Sequence, residues 1–124
     1  MEKRFEFEKL EVYKKAIQLI DDIYHITQSF PKSEQYGLTC QFRRTVTSIA
    51  LNIAEGYGRY HKKLKQQFYF TAKASVYECN PILTISLNQN YINKSDHKKL
   101  YNQCLELSQM ISGLIKSMDK RKIQ

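Results

Sequence analysis

The sequence predicts an all-α fold, an antiparallel up-down-up-down four-helix bundle, on three observations. Gly and Pro together number only six in 124 residues, too little turn chemistry for a many-stranded sandwich or barrel. Apolar residues recur at helical spacing in four long segments. Those segments are joined by short connections, which makes neighbouring helices alternate in direction. With 42% apolar and 26% charged residues, the chain has the composition of one globular domain, 1–124, and not of a disordered segment.

The first helix is expected over about 8–29. Leu10, Tyr13, Ile17, Ile20 and Tyr24 repeat at 3,4,3,4, and Val12, Ala16, Leu19, Ile23 and Ile26 form a second row beside them. Two adjacent rows are wider than one packing seam needs, so this helix is expected to bury a second side against another subunit. Phe30-Pro31 ends it, because a residue before Pro is pushed out of the α region. The second helix is expected over 33–57, capped by Ser33 and carrying Leu38, Phe42, Val46, Ile49 and Ile53. Gly56 and Gly58 are expected to close it in a left-handed conformation. The third, about 62–88, has a core row of Leu64, Phe68, Ala72, Ser75, Cys79, Ile82 and Ser86. Pro81 predicts a kink there, or a break with Asn80 as a new cap. The fourth, about 95–118, is capped by Ser95 and shows an unbroken seam of Leu100, Cys104, Leu107, Ile111, Leu114 and Met118. The six residues that follow are expected to fray.

The formal charge is +8, and it is unevenly placed: residues 1–40 hold six Lys/Arg against seven Asp/Glu, residues 41–124 fourteen against five. Such an excess favours anionic partners and speaks to association, not fold. No apolar run in the first fifteen residues resembles a secretory core, and none approaches the roughly 18–20 residues that span a bilayer. A cytoplasmic protein with no membrane partner is therefore expected. Cys40, Cys79 and Cys104 are odd in number and widely spaced, which reads as three reduced core residues.

Enzyme chemistries fail for want of parts. A di-metal bundle site needs Glu-x-x-His on two helices, and the sequence offers only Asp22-x-x-His25. No two Cys have zinc spacing, no Gly-x-Ser-x-Gly occurs, and Gly56-x-Gly58 has no third Gly. No catalytic residue, metal or cofactor is expected. Two polar features remain. Gln41, Arg44, Ser48, Asn52, Glu55 and Arg59 form a row along the second helix. The row is either a solvated face or a partly buried structural network of Arg44, Ser48, Asn52 and Glu55, with Glu78 of the third helix approaching Arg44. Arg59, Tyr60, Lys62, Lys63 and Lys65, with Tyr57 and His61, make the densest cationic and aromatic patch. It is either a solvated turn or a site for phosphate contact and base stacking.

The stretches Phe30-Pro31-Lys32-Ser33-Glu34-Gln35-Tyr36-Gly37-Leu38, Gln41-Phe42-Arg43-Arg44, Ser48-Ile49-Ala50-Leu51-Asn52-Ile53-Ala54-Glu55-Gly56 and Ala74-Ser75-Val76-Tyr77-Glu78 resemble the signature of the 23S rRNA intervening-sequence protein family, also called the four helix bundle protein family. The resemblance covers roughly Phe7 to Asn93. It implies a homopentameric four-helix bundle with no known catalysis; some members are encoded within insertions in bacterial 23S rRNA genes, and many are free-standing with unknown function. A structurally similar protein is the accessory subunit of diversity-generating retroelements, a basic pentamer that associates with a reverse transcriptase and RNA. The sequence departs from the pattern at Ala74, where the family usually has Gly, and at Pro81. The expectation is a non-enzymatic, homo-oligomeric, RNA-associated protein using Arg59, Tyr60, Lys62, Lys63 and Lys65. The rival expectation is a protein-interaction scaffold or accessory subunit, for example of a reverse transcriptase, without a direct RNA site. A small-molecule site in the bundle core is a third.

Overall fold

The computed structural model describes residues 3–123, with side chains described as far as Asp119. Four helices carry the fold: α1 (Glu11–Thr27), α2 (Leu38–Tyr57), α3 (Lys62–Asn88) and α4 (Lys94–Ile123), with short 3-10 turns at Glu6–Lys9 and Lys32–Glu34. No strand occurs among the described residues. Each helix packs on its neighbours in sequence, and α4 closes against α1. Side-chain pairs give the directions. Ser48 meets Ser75 and Gly56 meets Tyr69, so α2 and α3 run antiparallel. Asp22 meets Gln103 and Lys15 meets Glu106, so α1 and α4 do the same.

The core is built mostly from the predicted rows: Leu19 and Ile23 of α1, Phe42, Ile49 and Ile53 of α2, Ala72, Cys79 and Ile82 of α3, Leu107 and Ile111 of α4, all buried. On α3 the predicted row errs at its start, where Leu64 is 41% exposed, and Tyr69, Val76 and Leu83 beside it are buried instead. The outer row of α1 packs partly against the bundle core, and Tyr24 in it stays 41% exposed. Leu10, Tyr13, Ile17 and Ile20 lie half-buried against the core, Phe7 packs edge-on over Tyr13, and the Arg43 guanidinium covers Tyr24.

Several helix ends differ from the sequence reading, each because a tertiary partner wins. Residues 32–34 form a separate 3-10 turn and α2 begins at Leu38. Its first free N–H, that of Leu38, donates to Glu34 Oε1 (3.0 Å), so Glu34 supplants Ser33 as the cap. The other oxygen of Glu34 accepts from the Tyr91 hydroxyl (2.9 Å), tying this end to the α3–α4 turn. That bond raises the Tyr91 pKa, with burial and the Glu34 charge adding to it. Helix α4 is capped by Asn93, whose Oδ1 accepts from the Asp96 N–H (2.7 Å), and not by Ser95. It also extends to Ile123, past the expected end at Met118, and Asp119 accepts from Gln66 of α3 (2.9 Å).

Neither Gly56 nor Gly58 has positive φ, so the expected left-handed closure of α2 does not occur. The left-handed residue is Asn90 (φ 61°), which closes α3: the Tyr91 N–H reaches back to the Ser86 carbonyl (2.8 Å) and the Asn90 N–H to that of Leu87 (3.0 Å). Gly56 serves a different purpose. A Cβ there would lie 2.7 Å from the buried Tyr69 ring, so glycine permits the close approach of α2 and α3. Helix α3 runs unbroken through Pro81, which removes the predicted break at Asn80.

Replacing Gly56 by Ala should destabilise the protein by about 1–3 kcal/mol through overpacking, outweighing the roughly 1 kcal/mol that Ala gains in helix propensity. Urea unfolding checks the sign.

Burial, aided by the Tyr57 charge, pushes the Tyr69 phenol up to about 12. An unfolded tyrosine ionises near 10, so this contribution to stability is complete below about pH 10 and is lost as pH rises toward 12. Unfolding measured across that window should show a decline that Tyr69→Phe flattens by on the order of 2 kcal/mol.

Candidate nucleic-acid interface and the polar row

The turn from Gly58 to His61 joins the C-terminus of α2 to the N-terminus of α3. It puts the five predicted RNA-contacting residues at one end of the bundle, and their states differ. Arg59 is ion-paired to Glu55 one turn back, and its guanidinium lies over the Phe68 ring (4.9 Å). Lys65 donates to the Tyr57 carbonyl (2.8 Å) and lies over the Tyr57 ring (5.1 Å). The Lys62 ammonium is buried with no hydrogen-bond partner among the described residues, so it is screened from a phosphate, unlike the open lysine the sequence suggests. Lys63 is exposed at the mouth of a shallow groove with Gln67, Phe70 and Ala74. Tyr60 is 94% exposed and meets the His61 ring edge-on (5.5 Å). The turn thus offers an open aromatic face and an open ammonium, the two kinds of group that stack a base and hold its phosphate.

The Gln66–Asp119 bond brings the last turns of α4 to the same end. The helix that carries Lys116, Lys120, Arg121 and Lys122 therefore approaches the turn, a placement that needs the antiparallel fold and is not visible along the chain.

The polar row divides in two. Its centre is a network: Asn52 Nδ2 donates to the Ser48 carbonyl (2.8 Å) and to Ser48 Oγ (2.9 Å), and Ser75 Oγ reaches Ser48 Oγ (3.0 Å). Its ends are exposed. Arg44 and Glu78 line the same groove, yet both are solvent-exposed and neither joins an ion pair among the described residues. The expected buried Arg44–Glu78 contact is thus absent from the single chain. Two serines meeting at 3.0 Å hold α2 and α3 too close for a long ion pair to fit in the seam, and both charged side chains turn outward. Arg43, unremarked by periodicity, is the arginine that ties helices together: its Nε donates to Thr27 Oγ1 (2.9 Å) on α1.

Cys79 and Cys104 lie 25 residues apart and are both buried where α3 packs on α4. The neighbouring Cys104, then burial, pushes the Cys79 thiol far above its usual range, while the Cys79 neighbour lowers that of Cys104. Asp22, the predicted near-match to a metal ligand, accepts from Gln18 and Gln103 and faces Lys99 (3.9 Å). No cluster of three potential metal ligands occurs among the described residues, and no helix there is long and apolar enough to cross a membrane.

Comparison with known proteins fits this geometry. No curated protein sequence matches the chain. A crystal structure of a protein with unknown function from the S23 ribosomal protein family of Bacteroides thetaiotaomicron VPI-5482 shares the fold, with a TM-score of 0.76 and 19% identity, over 85% of this chain and 98% of that one. A family model described as 23S rRNA-intervening sequence protein matches residues 8–113. The match spans all of α1, α2 and α3 and most of α4, and on it the chain belongs to the 23S rRNA-intervening sequence protein family.

Proposed function

We propose that the protein is a non-enzymatic, cytoplasmic homo-oligomer, a pentamer by family resemblance, that associates with RNA through the α2–α3 turn. The observation that carries the RNA reading is the exposure of both Tyr60 and Lys63 at the end of the bundle that the last turns of α4 approach. Five copies would present that pair five times, and multivalent contact strengthens binding that a single weak patch could not sustain. Arg59 and Lys65, already engaged within the chain, hold the turn in shape and add to its field. The buried Lys62 contributes long-range charge only.

Fluorescence anisotropy with a labelled single-stranded RNA tests this between 50 and 200 mM salt. The slope of log affinity against log salt should fall by about 0.7 for each lysine that contacts a phosphate. Lys63→Gln should lower that slope, and Tyr60→Ala should cost about 1–3 kcal/mol of binding with the slope unchanged. The control Lys94→Gln/Lys98→Gln, at the opposite end of the bundle, should matter less. Equal losses in both sets would reduce the attraction to generic charge. No binding at 50 mM salt would remove the RNA reading and favour the scaffold or reverse-transcriptase accessory role.

A further inference from the structure

The fold sets two thiols at one level of two packed helices. Cys79 stands nine residues before Asn88, where α3 ends, and Cys104 ten residues after Lys94, where α4 begins. At the other end of the same antiparallel pair Gln66 meets Asp119, so one register holds along both helices and brings the cysteines opposite each other. Both are free thiols, buried where α3 packs on α4. Each perturbs the ionisation of the other.

Their access to solvent differs. Cys104 lines a groove of about 430 Å³ between Tyr77 and Pro81 of α3 and Tyr101 and Leu105 of α4, and it is 7% exposed, whereas Cys79 is fully enclosed at 0%. Pro81, two residues beyond Cys79, removes one N–H from α3 and frees the Tyr77 carbonyl. The helix backbone is therefore least constrained at the level of the two thiols. A single buried cysteine is a small inert hydrophobe. Two at one level, one reached from a groove and the other enclosed, have the layout of an attacking thiol with a resolving thiol beside it.

We propose that Cys104 and Cys79 are a site of reversible oxidation by a small peroxide, Cys104 reacting first and Cys79 closing a disulfide between α4 and α3. The Cys104 thiol gives its proton to water, and the thiolate attacks one peroxide oxygen. An S–O bond forms, the O–O bond breaks, and the hydroxide that leaves takes up a proton to become water. The Cys79 sulfur then attacks the Cys104 sulfur: an S–S bond forms, the S–O bond breaks, and a second water leaves with the Cys79 proton. The two thiols lose two electrons, and the peroxide is reduced to two waters. Cys104 is suited to the first step because its Cys79 neighbour lowers its pKa, favouring the thiolate that attacks. A disulfide of this kind is transient in a compartment that keeps thiols reduced. The reaction needs neither RNA nor a second copy of the chain.

Intact mass and peptide mapping test the site on the folded Cys40→Ser chain, which lacks the half-buried third thiol. Hydrogen peroxide should lower its mass by about 2 Da, for two hydrogens lost, and join the Cys79 and Cys104 peptides within one chain. Dithiothreitol should restore the original mass. Dimedone present during oxidation should mark Cys104 and leave Cys79 unmarked. In Cys104→Ser, Cys79 should stay reduced until urea unfolds the chain. Two free thiols after a peroxide dose that fully oxidises free cysteine overturn the site, and so does sulfinic acid at Cys104 beside a reduced Cys79, which would put Cys79 out of reach. Dimedone on Cys79 overturns the order of attack. The mass and the peptide map need no substitution in the core, so they decide the site even where Cys104→Ser fails to fold.

Discussion

The close approach of α2 and α3 is the constraint on which the remaining geometry depends. Gly56 admits the buried ring of Tyr69, and two turns earlier Ser48 meets Ser75 at 3.0 Å. Small side chains at both points bring the helices together along most of their length, and that closeness has consequences on two sides. Inward, it lets Phe42, Ile49 and Ile53 share one close-packed core with Cys79 and Leu83. Outward, it leaves no room for long polar side chains between the helices, so Arg44, Glu55 and Glu78 are displaced onto the surface. The same approach makes the α2–α3 connection short and places Tyr60 and Lys63 on its rim.

Charge is divided by location. Cationic residues outnumber carboxylates where α2 ends, α3 begins and α4 finishes. The side of the bundle made by α2 and α3 mixes Arg44 and Arg59 with Glu55 and Glu78 beside exposed apolar residues, and Lys63 reaches that side through its groove with Phe70 and Ala74.

The four helices were legible because each presents its apolar residues at the α period over several turns, and burial follows that period whichever neighbour is packed against it. Helix ends were less legible. Ser33 and Ser95 are good caps by residue type, but Glu34 and Asn93 hold the positions because of contacts from elsewhere, with Glu34 bonded to Tyr91 57 residues away. The width of the α1 stripe was legible, but hydrophobicity records that a face is covered and not by what: its outer row packs partly against this chain's own core. For the polar row, spacing identified which residues share a side of α2. Whether they are buried depended on how near α3 comes, which Gly56 and the serine pair decide.

Pro81 shows how the outward face of α3 tolerates a residue the sequence alone would place at a helix break. A proline inside a helix removes one N–H and frees the carbonyl four residues back, here that of Tyr77. Tyr77 and Pro81 are both exposed, so water can satisfy the freed carbonyl and the ring projects away from the core. The cost is smallest on that side of α3, and the helix continues to Asn88 because Cys79, Ile82, Leu83 and Ser86 on the opposite side remain buried in register. Packing on one side of the helix thus outweighs a local penalty on the other.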